Sequence, residues 1–192
     1  MKDSTRKRLK ESVEETLAFW DAQYKAANVP KATVDELVGE DYVRRLNELG
    51  ETGAIEYLTF VPEEEIVKAY AVLWRRLSPP ALVQVCLHYL TRATFWALMK
   101  GAGDLGPLLL GTHDKQASGA LARVIRNPAV DERIRQSAYE SLVDINSSAD
   151  LDDVLDRSRV RHDAMLSGQR VEIDWEFVNS FVESWADQRG QD

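Results

Sequence analysis

The feature that most constrains this chain is a succession of apolar stripes at helical spacing, most of them opened by a residue that caps helices. Leu9, Val13, Leu17, Trp20 and Tyr24 recur at steps of 4, 4, 3 and 4. That period places them on one face of a helix, which stops near Asn28 ahead of Pro30. Ile66, Tyr70, Leu73 and Leu77 form a second stripe, Ile134, Ala138, Leu142 and Ile145 a third, and Trp175, Val178, Val182 and Trp185 a fourth. Strands instead alternate apolar and polar residues with period two, and no convincing run of that kind occurs. The expected fold class is therefore all-α: an irregular helical bundle or a short α-solenoid of about eight helices.

Start signals agree with the stripes. Thr33 and Glu36 have capping-box spacing, in which hydroxyl and carboxylate each satisfy a free backbone N–H. Pro62 followed by Glu63, Glu64 and Glu65 puts three carboxylates at the positive end of a helix dipole. Ser78 before Pro79, and the aspartates at 131, 150 and 174, are further candidate caps. Gly39 and Gly50 bound a short helix carrying Tyr42, Leu46 and Leu49, and residues 51–61 read as either a short strand or a helical turn. The helix opening at Pro79 is apolar on nearly every side and is expected to run toward Lys100 at the centre of the fold. Five of the residues 101–111 are glycine or proline, so residues 101–117 are expected to be the least regular stretch, a hinge or functional loop.

The chain has 192 residues, enough for one domain with a real core, and residues 1–192 are read as one, with possible sub-units at 1–61 and 62–192. One cysteine excludes an internal disulfide framework and any cysteine-rich zinc module, and it suits a reducing compartment. A net charge of −8 argues against a general nucleic-acid binder, which needs clustered lysine and arginine. The basic start (Lys2, Arg6, Lys7, Arg8, Lys10) leads into Glu11, Glu14 and Glu15 rather than an apolar run, so no signal peptide is expected. Residues 81–99 are apolar but contain Arg92, which argues for a buried helix over a membrane span. A cytoplasmic protein without membrane contact is expected.

Residues 119–146 carry a more particular pattern. Leu121, Val124 and Ile125 lie on one helix, Asn127-Pro128-Ala129-Val130 form a turn, and Ile134, Arg135, Ala138 and Leu142 follow on a second. Ala138 would let two antiparallel helices approach closely while Ile134 and Leu142 fill the seam. The stretch resembles one HEAT-type repeat. The resemblance covers about 28 residues and has no second copy in the chain. It implies stacked helical neighbours, because two helices cannot bury a core alone.

Candidate chemistry is sparse. His88, His113-Asp114 and a later aspartate such as Asp150 or Asp153 look like an HD-type metal-dependent phosphohydrolase, whose divalent metal would acidify a water for attack on phosphate. His113 and Asp114 are thus an alternative metal pair, although they stand in a glycine-rich stretch. Asp152, Asp153 and Asp156 match the letters of the aspartate-rich motif of isoprenoid synthases, but also those of a helix first turn. The glycines 101, 103 and 106 have dinucleotide-loop spacing without a preceding strand. Cys86 lies among apolar residues without a nearby base, as a buried structural thiol would. No catalytic residue and no cofactor are expected.

Charge distribution says more. Between Lys31 and Ile66 ten acids face three bases, a local charge of −7, whereas Arg123, Arg126, Arg133, Arg135, Arg157, Arg159 and Arg161 crowd the second half. The expected function is a non-enzymatic protein–protein interaction module, an adaptor or a stoichiometric inhibitor of immunity type, binding a basic protein through residues 35–65. Its expected contacts are Glu40, Asp41, Glu48 and Glu51, with Tyr42 and Tyr57 as apolar anchors. The competing explanation is a set of solvated helix faces.

Overall fold

The structure is a computed structural model that describes residue 44 and residues 47–74, 76–148 and 172–186. Every regular element in it is helical. In chain order they are α1 (Gly50–Phe60), a single 3-10 turn (Glu63–Glu65), α2 (Ile66–Leu73), α3 (Pro79–Tyr89), α4 (Phe95–Leu108), α5 (Lys115–Arg126), α6 (Glu132–Ile145) and α7 (Trp175–Ala186). The all-α class holds, with seven α-helices among the described residues where the stripes suggested about eight. The helices read at residues 9–42 and the one that Asp150 would cap lie outside the described residues. The chain divides into two compact units, Met1–Leu82 and Val83–Asp192.

In the first unit, residues 51–61 resolve as helix, not strand. Gly50 has φ +64°, a left-handed conformation that ends the preceding turn at little cost and lets α1 start at once. Ala54, Leu58 and Val61, at steps of 4 and 3, form the buried side of α1 and its exit. Pro62 leads into the 3-10 turn of three glutamates, and α2 buries Ile66, Ala69, Tyr70 and Leu73. Tyr70 and Trp74 pack ring against ring at 5.5 Å. Ser78 caps α3 as expected: its hydroxyl accepts the Ala81 N–H at 3.4 Å and Pro79 is the first helical residue.

Two expectations fail at the start of the second unit. The apolar helix from Pro79 ends at Tyr89, not near Lys100. The Thr91 hydroxyl turns back onto the His88 carbonyl at 2.6 Å, and Thr94 is extended at the entry to α4. Threonine favours such local bonds over continued helix. Conversely, the glycine-rich stretch is helix through Leu108. A Cβ at Gly101 would lie 2.7 Å from the Cys86 carbonyl oxygen, and one at Gly106 would lie 2.9 Å from Ser141 Cα. These glycines let helices touch backbone to backbone, and the packing outweighs their poor helix propensity. The irregular segment is confined to residues 109–114, where Gly111 and His113 both have positive φ.

The core of this unit is α6, which packs against both α4 and α5, while α7 lies on α5. Ile134, Ala138, Leu142 and Ile145 are all buried, and Ser141 donates its hydroxyl hydrogen to the Ala102 carbonyl. Residues 115–145 form the helical hairpin read at 119–146, with its turn at residues 127–131. Asp131 accepts the Arg133 N–H at 2.9 Å, and Arg135 Nε donates to the Ile125 carbonyl at 2.7 Å, satisfying an orphan acceptor at the end of α5. In α7, Asp174 caps Phe177 N–H at 3.0 Å and Val178 is buried, but Trp175, placed on the apolar stripe, is 45% exposed. It lies instead 5.7 Å beneath the Arg135 guanidinium, where a cation–π contact holds it.

Candidate functional site

The acidic stretch can be followed from Glu48 onward; Glu40, Asp41 and Tyr42 lie outside the described residues. Glu48 is exposed and forms a long surface ion pair with Arg44 at 4.0 Å. Such a pair contributes little to stability and leaves the carboxylate available to a second cation. Glu51, also exposed, accepts a hydrogen bond from the Ser78 hydroxyl at 2.7 Å, which holds its carboxylate at the surface. Glu56 and Glu64 are exposed as well.

Tyr57, expected as an anchor, is engaged within its own unit. It is half-buried, and its hydroxyl donates to Glu65 Oε2 at 2.9 Å, which ties α1 to the 3-10 turn. The prominent aromatic is Phe60, 75% exposed, the largest value among the exposed large apolar residues that the structure describes. Glu56 lies one helical turn before Phe60 on the same face. Leu49, 40% exposed, leans on Gly53 of that face, where a Cβ would meet its side chain at 3.2 Å. Leu49, Glu56 and Phe60 therefore form a row along α1, while Glu51 lies on the opposite side of the helix, towards Ser78. Sequence reasoning missed Phe60, although a signal existed: once Ala54, Leu58 and Val61 define the buried stripe, residue 60 falls off it.

The alternative metal pair is placed differently from the chemistry it suggested. The Asp114 carboxylate caps α5, accepting the Ala117 N–H at 2.8 Å. His113 is exposed at positive φ, its N–H bonded to the Ile145 carbonyl at 3.0 Å. Asp150, Asp153 and the 152–156 aspartates lie outside the described residues. Among the described residues, no group of three or more His, Cys, Asp or Glu side chains comes together as a metal site would require. Cys86 is buried on α3 and forms no disulfide, and no described helix is long and apolar enough to cross a membrane.

One carboxylate in the second unit is strongly perturbed. Hydrogen bonds from the Arg133 side chain and backbone hold Asp131 down to about 2, from an ordinary 3.8. The pair is bidentate, with Arg133 Nε and Nη2 at 3.0 and 2.9 Å from the two carboxylate oxygens. It stiffens the α5–α6 turn rather than preparing a reaction. No protein-family model, no curated protein and no solved structure matches this chain.

Proposed function

We propose that the protein is a non-enzymatic interaction module, an adaptor or stoichiometric inhibitor, that binds a basic protein partner through the acidic face of its first unit. The observation that carries this reading is Phe60, three-quarters exposed one helical turn after Glu56 and close in sequence to Glu64, with the exposed Glu51 at the start of the same helix and Glu48 just before it. An exposed aromatic among carboxylates combines the two parts of a recognition surface: an anchor that gains by desolvation and charges that orient a cationic partner. The contacts proposed are Glu48, Glu51, Glu56 and Phe60, with Glu40, Asp41 and Tyr42 retained from the sequence reading. Tyr57 acts in this proposal by positioning Glu65. A HEAT-like character of the α5–α6 hairpin belongs to the same proposal, supported by the buried Ala138 seam and the Arg135 contact across the turn. So does a cytoplasmic location, supported by a cysteine content that suits a reducing compartment.

Comparative capture from a lysate of the source cell tests the reading. The wild-type protein should retain a basic protein near one-to-one stoichiometry, released by salt, and Phe60→Asp should lose it while keeping the wild-type thermal transition. Equal retention by both proteins refutes the assignment of this face.

A further inference from the structure

An open groove of about 780 Å³ crosses the second unit, running between the end of α3, the start of α4, and α5 with its following turn. Its floor is apolar: Leu90, Leu98, Ala120, Val124 and Ile134. Phe95 forms one wall and stacks edge-on with Trp96 at 5.1 Å. Trp96 itself is 46% exposed, so apolar surface continues past the groove.

The charge of the groove is opposite to that of the chain. Arg92 and Arg123 belong to its lining, and Arg133 lies 5.0 Å over the Phe95 ring. The one carboxylate of the lining, Asp131, is already neutralised by Arg133. A −8 protein thus holds an apolar trough edged by guanidinium groups. Guanidinium groups grip carboxylates in planar fashion, and an apolar floor accepts a row of aliphatic side chains.

We infer that this groove is a docking site for an acidic amphipathic helix of a partner protein, with leucine-type residues on the floor and carboxylates against Arg92 and Arg123. An open trough suits a helix better than a small ligand, which needs enclosure and convergent polar groups. The site is independent of the acidic face on the first unit, and each stands or falls alone.

Fluorescence anisotropy of labelled synthetic helices tests it on the full-length protein. Two peptides of about 18 residues, five helical turns, share one leucine face and differ only in carrying glutamate or lysine on its flanks. The glutamate peptide should bind at least about tenfold more tightly than the lysine peptide. The double variant R92E/R123E should remove that preference, and a thermal melt shows whether the variant is folded. As a second probe that does not depend on the arginines, Ala120→Leu should fill the floor and weaken both peptides. Equal binding of the two peptides, binding undiminished in folded R92E/R123E, or no binding of the glutamate peptide each overturns the inference. So does a perturbation of tryptophan emission by decanoate with no peptide binding, which would mark a small-ligand pocket.

Discussion

Replacing Gly106 by alanine sets two opposed effects against each other, and the structure decides which wins. In a helix interior alanine is favoured over glycine by about 1 kcal/mol. At residue 106, however, the new Cβ would lie 2.9 Å from both Cα and Oγ of Ser141 and 3.2 Å from its Cβ. Ser141 Cα is backbone, so no side-chain rotation relieves the contact. The Ser141 hydroxyl is also engaged, donating to the Ala102 carbonyl. Helices α4 and α6 must therefore separate, and overpacking of this kind costs about 1–3 kcal/mol. With the backbone contact placing the cost at the upper end, the net loss is about 1–2 kcal/mol, or about 2–8 °C in melting temperature. Gly103 supplies the control within the same helix. A Cβ there meets only Ser137 Oγ, at 3.2 Å, and that hydroxyl can turn away. Gly103→Ala should be neutral or stabilising by up to about 1 kcal/mol. Urea titration followed by circular dichroism at the helical band measures both. Equal stabilisation by the two substitutions would show residue 106 facing open space, and no effect from either would restore the loop that its glycine content suggests.

Ala138→Arg forces a charge into the buried seam of α6 and should cost about 3 kcal/mol or more, read as a collapse of the thermal transition; an unchanged transition would show that face to be exposed. Arg135→Ala removes the donor to the Ile125 carbonyl and the cover over Trp175, and should cost about 1–3 kcal/mol in urea titrations, with Arg135→Lys recovering only part of it. The Asp131 carboxylate should titrate near 2 by carbon-detected NMR, and Arg133→Ala should return it toward 3.8; an ordinary midpoint in the wild type would refute the bidentate pair. Because its folded-state pKa lies below the unfolded one, Asp131 binds fewer protons in the fold, so its contribution is full above about 4 and is lost as pH falls toward 2.

Features governed by one helix's own period and caps were legible in the residues. Ile66, Tyr70, Leu73 and Leu77 are buried as a stripe, and Ser78, Asp131 and Asp174 cap the helices they precede. Features set by contacts distant in the chain were not. Gly106 is helical because Ser141 lies against it, a relation that no window around residue 106 contains. The end of α3 at Tyr89 escaped because apolar residues on both sides of the 90–94 turn made one continuous run. Asp114 has an ordinary capping position, but its neighbour His113 drew it into a metal reading. At the acidic face, net charge was legible at once. The exposure of Phe60 was not, since seeing it required knowing that residues 51–60 are helical with Ala54 and Leu58 on the buried side.

The central claim is that the acidic face of the first unit recruits a basic protein, and association kinetics test it most directly. Stopped-flow mixing with the protein captured on the wild-type column would give on-rates as a function of salt for the wild type and for E48K/E51K/E56K. Charges at the rim of an interface act mainly on encounter. The wild-type on-rate should fall steeply between low and physiological ionic strength, and the triple variant should associate at least about tenfold more slowly, with a dissociation rate close to wild type. An on-rate and salt slope unchanged in the folded variant would contradict the claim and leave these carboxylates as a solvated helix face.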